Sequence, residues 1–505
     1  MESRKCNPSR CHSRGRVTAK QLLWWLAASF TIPAITAASW TDGLSNRLPQ
    51  VPILSGPSPL ALEPQTPMSS MKQEHDFTLR HIYDYSEHDH PEVYRRLDIR
   101  PGDIVWADSG GQGERSRLET LHAKSTRTTI ERLSDRSVSR MQSLYCTARL
   151  TGASPTLDAS EWTADDVSGP NVTDKETVLT LAKMSWDAYT AEPGTGEWQD
   201  ETGRFNHSQG FGWEGDSLRG HIFADKDNTT VVIALKGTSP AVFDGAETTT
   251  NDKVNDNLFF GCCCGQGGQY LWHQVCDCMT SAFTCNQTCL VKALRDENRY
   301  YAKSIELYGN VTEVYPNSNI WLVGHSLGGS TGALLGLTFG LPVATFEAPG
   351  DALAAARLGL PSPPTAHPSA PQTRKYTGAV HFGHTADPIF MGSCNAATSA
   401  CTLGGYSMQT ECHTGCVSRY DTVGDKQWRV GAGYHKIRSV IHDVIEAYPE
   451  VPECISEEEC VDCFNWKFFR SNGSEPSTST TTSTSSTTAT PTRTTTCKTP
   501  GWWGM

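Results

Sequence analysis

The sequence predicts an α/β fold, in which a mostly parallel sheet carries helices on both faces, preceded by a single N-terminal transmembrane helix. Between Thr173 and Tyr448, short apolar runs suited to buried strands alternate with runs of helical periodicity. That alternation is typical of a parallel sheet, because each crossover to the next parallel strand usually contains a helix. At the N-terminus, the basic residues 1–20 precede an uncharged stretch from Leu22 to Ala38, which is just long enough to span a bilayer as a helix.

The individual elements follow from local patterns. Short apolar runs predict buried strands, and they are Val231–Leu235, Ile320–Val323, Val343–Phe346 and Ala379–Phe382. Apolar residues at helical spacing predict helices, and they cover 173–189, 329–337 and 434–448. In the first helix, Thr173 is expected to be the N-cap, with Glu176 at the capping-box position.

Charge and cysteine content limit the class of protein. The 505 residues include 55 acidic and 43 basic side chains, a formal net charge of −12, whereas a nucleic-acid binder needs a basic surface. Eighteen cysteines indicate an oxidising compartment. Zinc binding through Cys276 and Cys278, or through Cys460 and Cys463, is the alternative, but an oxidising lumen favours disulfides.

The N-terminal segments predict how the chain is delivered. Residues 1–20 are expected to stay in the cytosol as a basic tail, and residues 21–40 to form a signal-anchor that leaves the bulk of the chain in the lumen. A cleaved signal peptide is the alternative, because Thr36-Ala-Ala38 offers small residues for cleavage. Both interpretations lead into the secretory pathway. Six Asn-x-Ser/Thr sequons predict glycosylation there: Asn171, Asn206, Asn228, Asn286, Asn310 and Asn472.

Composition divides the remaining chain into four segments. Residues 41–170 are polar, with few long apolar runs, and are expected to be a lumenal stem or accessory region. Residues 171–450 hold the predicted strands and helices and form the main domain, followed by a cysteine-rich extension over 451–470. Residues 471–505 are expected to be an extended, glycosylated tail, because a run of Ser and Thr cannot bury a core.

A glycine-rich turn carries the main functional signal. The segment Gly324-His-Ser-Leu-Gly328 matches Gly-x-Ser-x-Gly, the nucleophile elbow of α/β-hydrolase-type enzymes. The strand Ile320–Val323 runs into this turn, and a glycine-rich helix follows it. The glycines relieve crowding, which leaves the Ser326 hydroxyl exposed as a nucleophile. The Leu327 backbone N–H, at the helix N-terminus, lies where an oxyanion would form.

A serine nucleophile needs a histidine base and an acid that orients the base. In this fold the acid follows the serine in the chain, and the histidine follows the acid. Asp387, just past the strand Ala379–Phe382, is the preferred acid, with Asp351 as the alternative. His435 is the preferred base, with His442, two turns along the last helix, as the alternative.

A second oxyanion donor is expected in a loop after an earlier strand. The stretch Leu235-Lys-Gly-Thr238 fits, because Gly237 permits a turn and Thr238 presents a backbone N–H and a hydroxyl. An ordinary turn at the end of a strand is the alternative interpretation.

These residues together resemble the class 3 lipases, the fungal triacylglycerol lipase family. The likeness lies in Leu235–Thr238, in the elbow and in the strand Ala344–Gly350. Within that family, the chain is most similar to the fungal autophagy-related vacuolar lipases. That similarity lies in the N-terminal anchor, the Ser/Thr-rich tail and four segments: His75–His81, Lys183–Trp186, Phe259–Cys264 and His381–Pro388.

The resemblance implies a serine lipase with Ser326, Asp387 and His435 as its catalytic triad. Its substrates would be phospholipid and triacylglycerol of intravacuolar membranes, namely autophagic bodies and multivesicular-body vesicles. It would reach the vacuole through multivesicular bodies as a single-pass type II membrane protein. Lipid membranes are the expected partners, nucleic acid is not, and the chemistry needs no metal or organic cofactor.

A lid is expected, because lipid substrates lie in an interface. Residues 243–268 lie between the oxyanion strand and the nucleophile, and they contain Leu258-Phe-Phe260 followed by three cysteines. We hypothesise that this disulfide-held insert contacts lipid through Phe259 and Phe260.

Two other functions fit parts of the sequence. A secreted carboxylic ester hydrolase of the same fold is one, although a retained anchor speaks against it. A non-catalytic surface glycoprotein with an idle Ser326 is the other, although an acid and a histidine follow the elbow in the right order.

Overall fold

The computed structural model describes residues 74–85, 94–99, 104–107, 114–117, 120–151, 154–191, 218–238, 248–264, 275–295, 299–367 and 370–471. They belong to one compact unit that begins at Met68. The predicted cytosolic tail, the predicted anchor and residues 472–505 lie outside this described part. Among the helices that are described, none has the length and apolar character needed to cross a membrane.

The strands, in chain order, are β1 (Glu74–Tyr85), β2 (Tyr94–Asp98), β3 (Ile104–Ala107), β4 (Glu114–Arg117), β5 (Leu121–Leu133), β6 (Trp162–Pro170), β7 (Thr190–Ala191), β8 (Leu218–Asp225), β9 (Thr230–Leu235), β10 (Met279–Ser281), β11 (Thr284–Asn286), β12 (Asn319–His325), β13 (Val343–Phe346), β14 (Ala379–His384), β15 (Cys416–Tyr420), β16 (Cys454–Ile455) and β17 (Lys467–Phe469).

The α-helices are α1 (Val138–Thr151), α2 (Lys175–Asp187), α3 (Thr248–Phe260), α4 (Gln287–Leu294), α5 (Tyr300–Val314), α6 (Leu327–Phe339), α7 (Ala352–Leu358), α8 (Ala400–Gly404), α9 (Thr422–Lys426) and α10 (Ile437–Ser439). A π-helix covers Val440–Ile445. Short 3₁₀ helices cover Ala159–Glu161, Lys375–Thr377 and Ala432–His435.

One large sheet organises the fold. Within the described residues its strand order is β16-β15-β14-β13-β12-β9-β8-β1-β5-β6, with β2 paired to β1. The five strands β15, β14, β13, β12 and β9 are parallel to one another, and β16 pairs antiparallel with β15 at the edge. From β9 through β8, β1 and β5 to β6 the pairing is antiparallel. The predicted parallel sheet is therefore present, and an antiparallel half extends it.

Both faces of the parallel strands are buried. In β9, Val231, Ile233 and Leu235 pack into a hydrophobic cluster that includes residues of α6. Val232 and Ala234 pack into a second cluster, which includes residues of α2 and the π-helix. Because successive strand residues point to opposite faces, these two clusters lie on opposite sides of the sheet. Helices thus cover both faces, as the sequence predicts.

The predicted strands agree with β9, β12, β13 and β14, and two predicted helices differ in detail. The N-cap of α2 is Asp174 and not Thr173, because the Asp174 carboxylate accepts the Thr177 backbone N–H at 3.0 Å. The helix expected over 434–448 is instead a 3₁₀ turn ending at His435, followed by α10 and the π-helix.

The described part of residues 41–170 does not form a stem. β1 pairs with β8, and β5 pairs with β6, so these strands belong to the main sheet. Phe77 and Ile130 are fully buried there, and the Trp321 indole N–H donates to the Ser168 carbonyl oxygen at 2.8 Å. These strands were not predicted because the few buried residues of β5 are separated by polar, exposed or half-buried ones, so the strand contains no apolar run.

Disulfides hold the cysteine-rich extension to the main domain. The described bonds are Cys262–Cys463, Cys263–Cys285, Cys264–Cys276, Cys278–Cys289, Cys394–Cys401, Cys412–Cys460 and Cys416–Cys454. Each of the four cysteines considered for zinc is thus oxidised, and it has no thiolate to bind a metal. The zinc interpretation of these residues is therefore wrong.

Candidate active site

Ser326 lies in a tight turn between β12 and α6, at the carboxyl end of the parallel strands. Its backbone φ is 54° and its ψ is −132°, values that are rare outside glycine. Its N–H donates to the Phe346 carbonyl oxygen at 3.0 Å, which ties the turn to the end of β13. The turn directs the Ser326 side chain above the sheet edge, but Ser326 is buried in this structure, so the predicted exposure of its hydroxyl is wrong.

Two glycines of the elbow are required by close backbone contacts. A Cβ on Gly324 would lie 2.5 Å from the Gly328 carbonyl carbon, and a Cβ on Gly328 would lie 2.3 Å from the Leu235 carbonyl oxygen. These distances are shorter than van der Waals contact. The elbow therefore packs directly against the end of β9, where the proposed oxyanion loop begins.

The structure brings the three predicted catalytic residues together. The Nε2 atom of His435 lies 2.8 Å from Ser326 Oγ, and its Nδ1 atom lies 2.6 Å from Asp387 Oδ2. The Asp387 side chain is fully buried, and the His435 side chain is 15% exposed. The hydrogen bonds run from hydroxyl to imidazole to carboxylate, which is the order that proton transfer from a serine requires.

Asp387 is held in its charged form. Burial opposes ionisation of its carboxyl group, but the charge and hydrogen bond of His435, with bonds from Glu347 and the Ile389 backbone N–H, keep the pKa of Asp387 below its usual range. The Ile389 N–H donates to Oδ1 at 2.9 Å. An ionised Asp387 can accept the Nδ1–H of His435 and stabilise the imidazolium form.

The alternative acid and base have other partners. Both Asp351 oxygens accept hydrogen bonds from Thr414, from the backbone N–H at 2.9 Å and from the hydroxyl at 2.7 Å. His442 is exposed, and its Nδ1 lies 3.0 Å from Glu446 Oε2 on the same helical segment. The geometry therefore favours Asp387 and His435 over Asp351 and His442.

Thr238 lies in the loop after β9, beside the elbow. A Cβ on the preceding Gly237 would lie 2.4 Å from the His325 carbonyl oxygen, so the loop and the elbow touch. The Thr238 hydroxyl donates to Asp256 Oδ2 at 2.7 Å. Burial, with the charge of Asp252, raises the pKa of Asp256 well above its usual range. Leu327 begins α6, and first-turn amides have no acceptor within their own helix.

Helix α3, which carries Asp256, does not present its aromatic residues to lipid. Phe259 and Phe260 are fully buried and pack edge to face, with ring centroids 5.8 Å apart. Cys262, Cys263 and Cys264, directly after the helix, are also buried. The hypothesis that Phe259 and Phe260 contact lipid is therefore wrong, because the disulfides fix this segment inside the core.

Three buried side chains around the site, those of His325, Tyr189 and Glu347, were not predicted from the sequence. His325 Nδ1 lies 2.7 Å from the Tyr189 hydroxyl, and its Nε2 lies 2.7 Å from the His435 carbonyl oxygen. Burial, with the nearby His435, lowers the pKa of His325 to about 3, so this ring is neutral. Glu347, directly after β13, shares a hydrogen bond with Asp387. Glu347 could have been noticed in the sequence, because it is an acid directly after β13, and β13 pairs with the strand that precedes Ser326.

The sequons differ in their surroundings. Asn228 is exposed in the turn between β8 and β9. The Asn286 side chain accepts the Cys289 N–H at 3.2 Å and donates to Ser471 Oγ at 3.0 Å, so a glycan there would disturb a helix cap. Asn171 and Asn310 are partly buried, and Asn206 and Asn472 lie outside the described residues. Glycosylation stays a prediction.

Comparison with solved structures finds fungal lipases at low similarity. The Lip2 lipase of Yarrowia lipolytica matches with 18% identity and a TM-score of 0.24, over 48% of this chain and 80% of that one. Lipase II of Rhizopus niveus matches with 13% identity and a TM-score of 0.19, over 40% of this chain and 61% of that one. No protein-family model matches the chain.

Sequence relatives are much more similar. A Penicillium rubens protein named "Putative lipase atg15" is 55% identical over 477 residues, which are 94% of this chain and 70% of that protein. A Passalora fulva protein named "Putative lipase ATG15" is 55% identical over 434 residues, which are 85% of this chain and 65% of that protein. On these two relatives, the chain belongs to the fungal ATG15 lipase family.

Proposed function

We propose that this chain is a serine lipase and phospholipase that hydrolyses lipid esters of intravacuolar membranes. Two contacts support the proposal most directly. Ser326 Oγ lies 2.8 Å from His435 Nε2, and His435 Nδ1 lies 2.6 Å from Asp387 Oδ2. Membership of a lipase family supports an ester substrate.

In the first step, His435 Nε2 accepts the Ser326 proton while Oγ attacks the ester carbonyl carbon. The Nδ1–H of His435 stays hydrogen-bonded to ionised Asp387, which stabilises the imidazolium. The backbone N–H groups of Leu327 and Thr238 hold the negative oxygen of the tetrahedral intermediate. The intermediate then collapses, the imidazolium protonates the leaving alcohol, and Ser326 keeps the acyl group.

In the second step, a water molecule replaces the alcohol. His435 accepts a proton from this water, and the resulting hydroxide attacks the acyl carbonyl carbon. The same two N–H groups hold the oxygen again. Ser326 then recovers its proton from His435, and the fatty acid leaves. Every proton and acyl group is transferred between the substrate, water and side chains of this chain.

The intravacuolar role is supported by features of the sequence. The basic residues 1–20 and the uncharged stretch after them suit a type II anchor, and oxidised cysteines suit a lumenal domain. The named relatives carry the ATG15 designation. Delivery through the Golgi and multivesicular bodies to the vacuole, with hydrolysis of autophagic-body and multivesicular-body membranes there, accords with these features.

Fatty-acid release tests the activity. The full chain, produced in a eukaryotic secretory pathway, is incubated with phosphatidylcholine vesicles and with a triacylglycerol emulsion, alongside Ser326→Ala. We expect release from both substrates by the wild type and none by Ser326→Ala. Release from a soluble short-chain ester alone would favour a carboxylic esterase of the same fold. A folded wild-type protein without activity on any ester would overturn the proposal.

Protease protection tests the topology. Sealed microsomes that contain the full chain, tagged at both ends, are treated with protease from outside. A type II protein loses its N-terminal tag and keeps the tag at the C-terminus. An N-terminal tag that is already missing before protease treatment would show a cleaved signal peptide. A degraded C-terminal tag would contradict a lumenal catalytic domain.

A further inference from the structure

Glu347 is a buried acid whose backbone fixes it beside the active site. It directly follows β13, and its φ is 47°, a left-handed value that is uncommon for a residue with a side chain. Its side chain is fully buried. Its N–H donates to the Phe382 carbonyl oxygen on β14 at 2.8 Å. Strained backbone of this kind persists only where the surrounding structure holds it, and it is concentrated at functional sites.

The Glu347 carboxyl group faces the proposed catalytic acid. It shares a hydrogen bond with the Asp387 carboxyl group. Its Oε2 lies 3.4 Å from the His384 backbone N–H, whereas Oε1 has no donor from the protein. Two ionised carboxylates can only accept hydrogen bonds, so this bond requires that one of the two holds a proton.

The proton belongs on Glu347. Asp387 accepts hydrogen bonds from His435 and from the Ile389 N–H, which favour its charged form. Burial raises the pKa of Glu347 well above its usual range, and the charge and hydrogen bond of Asp387 raise it further. Two like charges at hydrogen-bond distance in a buried site cannot both persist, and one acid stays neutral.

Other titratable groups that face Glu347 do not supply a cation. His384 Nε2 lies 3.8 Å from Glu347 Oε1. The His384 Nδ1 atom accepts the Ala386 backbone N–H at 3.2 Å, so it carries no proton, and burial lowers the pKa of His384. Tyr420, on β15, is a neutral phenol whose pKa is raised by burial and by the nearby Glu347.

We propose that Glu347 is a positioning residue, which as a neutral acid donates its O–H to Asp387 and holds that carboxylate charged and directed at His435 Nδ1. The inference rests on the proposed function, because it assigns Asp387 its catalytic role. Glu347 would be a fourth side chain of the proposed site, in contact with Asp387 at the end of the hydrogen-bonded series Ser326, His435 and Asp387. Glu347 itself touches neither substrate nor serine and acts only through Asp387.

A pH effect follows from this arrangement. When the pH rises above the raised pKa of Glu347, its carboxyl group loses the proton, the donor to Asp387 is lost and a second negative charge appears beside it. The Asp387 carboxylate is then repelled from its position, and the rate falls. The wild-type kcat should therefore decline on the alkaline side through the titration of Glu347.

Two variants separate a hydrogen-bond role from a packing role. Glu347→Gln keeps the size and supplies an amide N–H donor that does not titrate, so kcat should stay within about threefold of the wild type. Its alkaline decline should vanish or move to higher pH. Glu347→Met fills similar space without a donor, and its kcat should fall by about 10–100-fold while KM changes little.

The matched control is a second buried acid. Asp351→Asn neutralises a fully buried carboxyl group whose partner is Thr414 and not the proposed triad. It should lower thermal stability without moving the alkaline decline of kcat. Ser326→Ala gives the background rate, and circular dichroism establishes that each variant is folded.

The assay is hydrolysis of a soluble short-chain ester by the full chain, followed in a pH-stat from acidic to alkaline pH. A wild-type rate equal to that of Ser326→Ala would overturn the proposed function itself. With an active wild type, an unchanged alkaline decline in Glu347→Gln would overturn the inference about Glu347. A folded Glu347→Met variant with wild-type kcat would overturn it as well. If Glu347→Met does not fold, the profile of Glu347→Gln decides alone.

Discussion

The Nε2 atom of His325 donates a hydrogen bond to the backbone carbonyl oxygen of His435, with the two atoms 2.7 Å apart. Because a carbonyl oxygen only accepts, Nε2 carries the proton, and Nδ1 accepts from the Tyr189 hydroxyl. His325 belongs to the elbow, and His435 belongs to the loop that supplies the proposed base. This bond therefore joins the two segments whose register sets the contact between Ser326 and His435.

Replacing His325 should weaken catalysis through misplacement of His435. In His325→Gln we expect kcat to fall by about 10–100-fold, because a base moved by about 1 Å loses that much rate. KM for a soluble ester should change little. His442→Gln is the control, because His442 is exposed and bonded to Glu446, and it should keep wild-type kinetics. A larger effect of His442→Gln than of His325→Gln would contradict the assignment of the base.

Replacing each of the two candidate acids, Asp387 and Asp351, should show which one takes part in catalysis. Asp387→Asn leaves a side chain of the same shape, but it cannot stabilise the imidazolium, and we expect kcat to fall by about 10³–10⁴-fold. Asp351→Asn should keep kcat within a few-fold, because Asp351 binds Thr414. Steady-state kinetics on a soluble ester measure both variants. A greater loss in Asp351→Asn would show that the acid is wrongly assigned.

A methyl group on Gly328 should disturb the elbow. The added Cβ would lie 2.3 Å from the Leu235 carbonyl oxygen, so backbone must move. We expect a loss of stability of at least about 1–3 kcal/mol, together with most of the activity. Gly309→Ala, in α5, is the control, since its Cβ would meet only Val138 at 3.6 Å. That variant should be neutral or more stable by up to about 1 kcal/mol in a denaturant titration.

Phe260 should matter for folding and not for lipid contact. Phe260→Ser removes a fully buried ring, and the free energy of unfolding should fall by about 3–5 kcal/mol. The remaining activity should fall equally on vesicles and on a soluble ester. Phe464→Ser is the control, because Phe464 is 85% exposed, and its stability should change by less than about 0.5 kcal/mol. Selective loss on vesicles in Phe260→Ser would restore the lid hypothesis.

His221 should make the fold less stable in acid. Burial lowers the pKa of His221 from 6.5 to about 3. Above pH 6.5 the ring is neutral in both states and contributes nothing to the pH dependence. Below that pH the unfolded chain binds a proton that the folded chain does not, so the free energy of unfolding falls until the pH passes about 3.

The variant His221→Gln should reduce this acid sensitivity. Between about pH 8 and about pH 5, its free energy of unfolding should fall by about 2 kcal/mol less than that of the wild type. Urea titrations at the two pH values measure the difference, and the comparison at the higher pH gives the cost of the substitution itself. Equal acid sensitivity in both proteins would show that His221 is protonated in the fold.

Much of the parallel half of the fold and the proposed site could be predicted from local patterns. A buried strand that leads into Gly-x-Ser-x-Gly and is followed by a glycine-rich helix is typical of a nucleophile elbow. The order serine, acid, histidine along the chain then favoured Asp387 as the acid and His435 as the base. These signals are local, because an elbow needs particular residues at fixed spacing. Asp387 could be ranked first because it lies in the loop just past a strand end, and His435 because it lies at the start of the last predicted helix.

The rest depends on contacts between distant parts of the chain. The buried residues of β5 are few and irregularly spaced among polar ones, so its place in the sheet can be recognised only from the strands that pair with it. An apolar pair such as Phe259 and Phe260 is compatible with a lid or with a buried core. The disulfides that hold this segment in the core join residues up to 201 positions apart, so local sequence does not reveal them. The positioning role proposed for Glu347 depends on its interaction with Asp387, which lies 40 positions later in the chain.

The central claim is that Ser326 is the nucleophile and that His435 activates it. Labelling of the full chain with a fluorophosphonate, followed by mass spectrometry of the modified peptide, tests this claim most directly. We predict one adduct, on Ser326, that is absent after heat denaturation and strongly reduced in His435→Ala. An adduct on a different serine of the folded protein, or none in a folded protein that still hydrolyses esters, would contradict it.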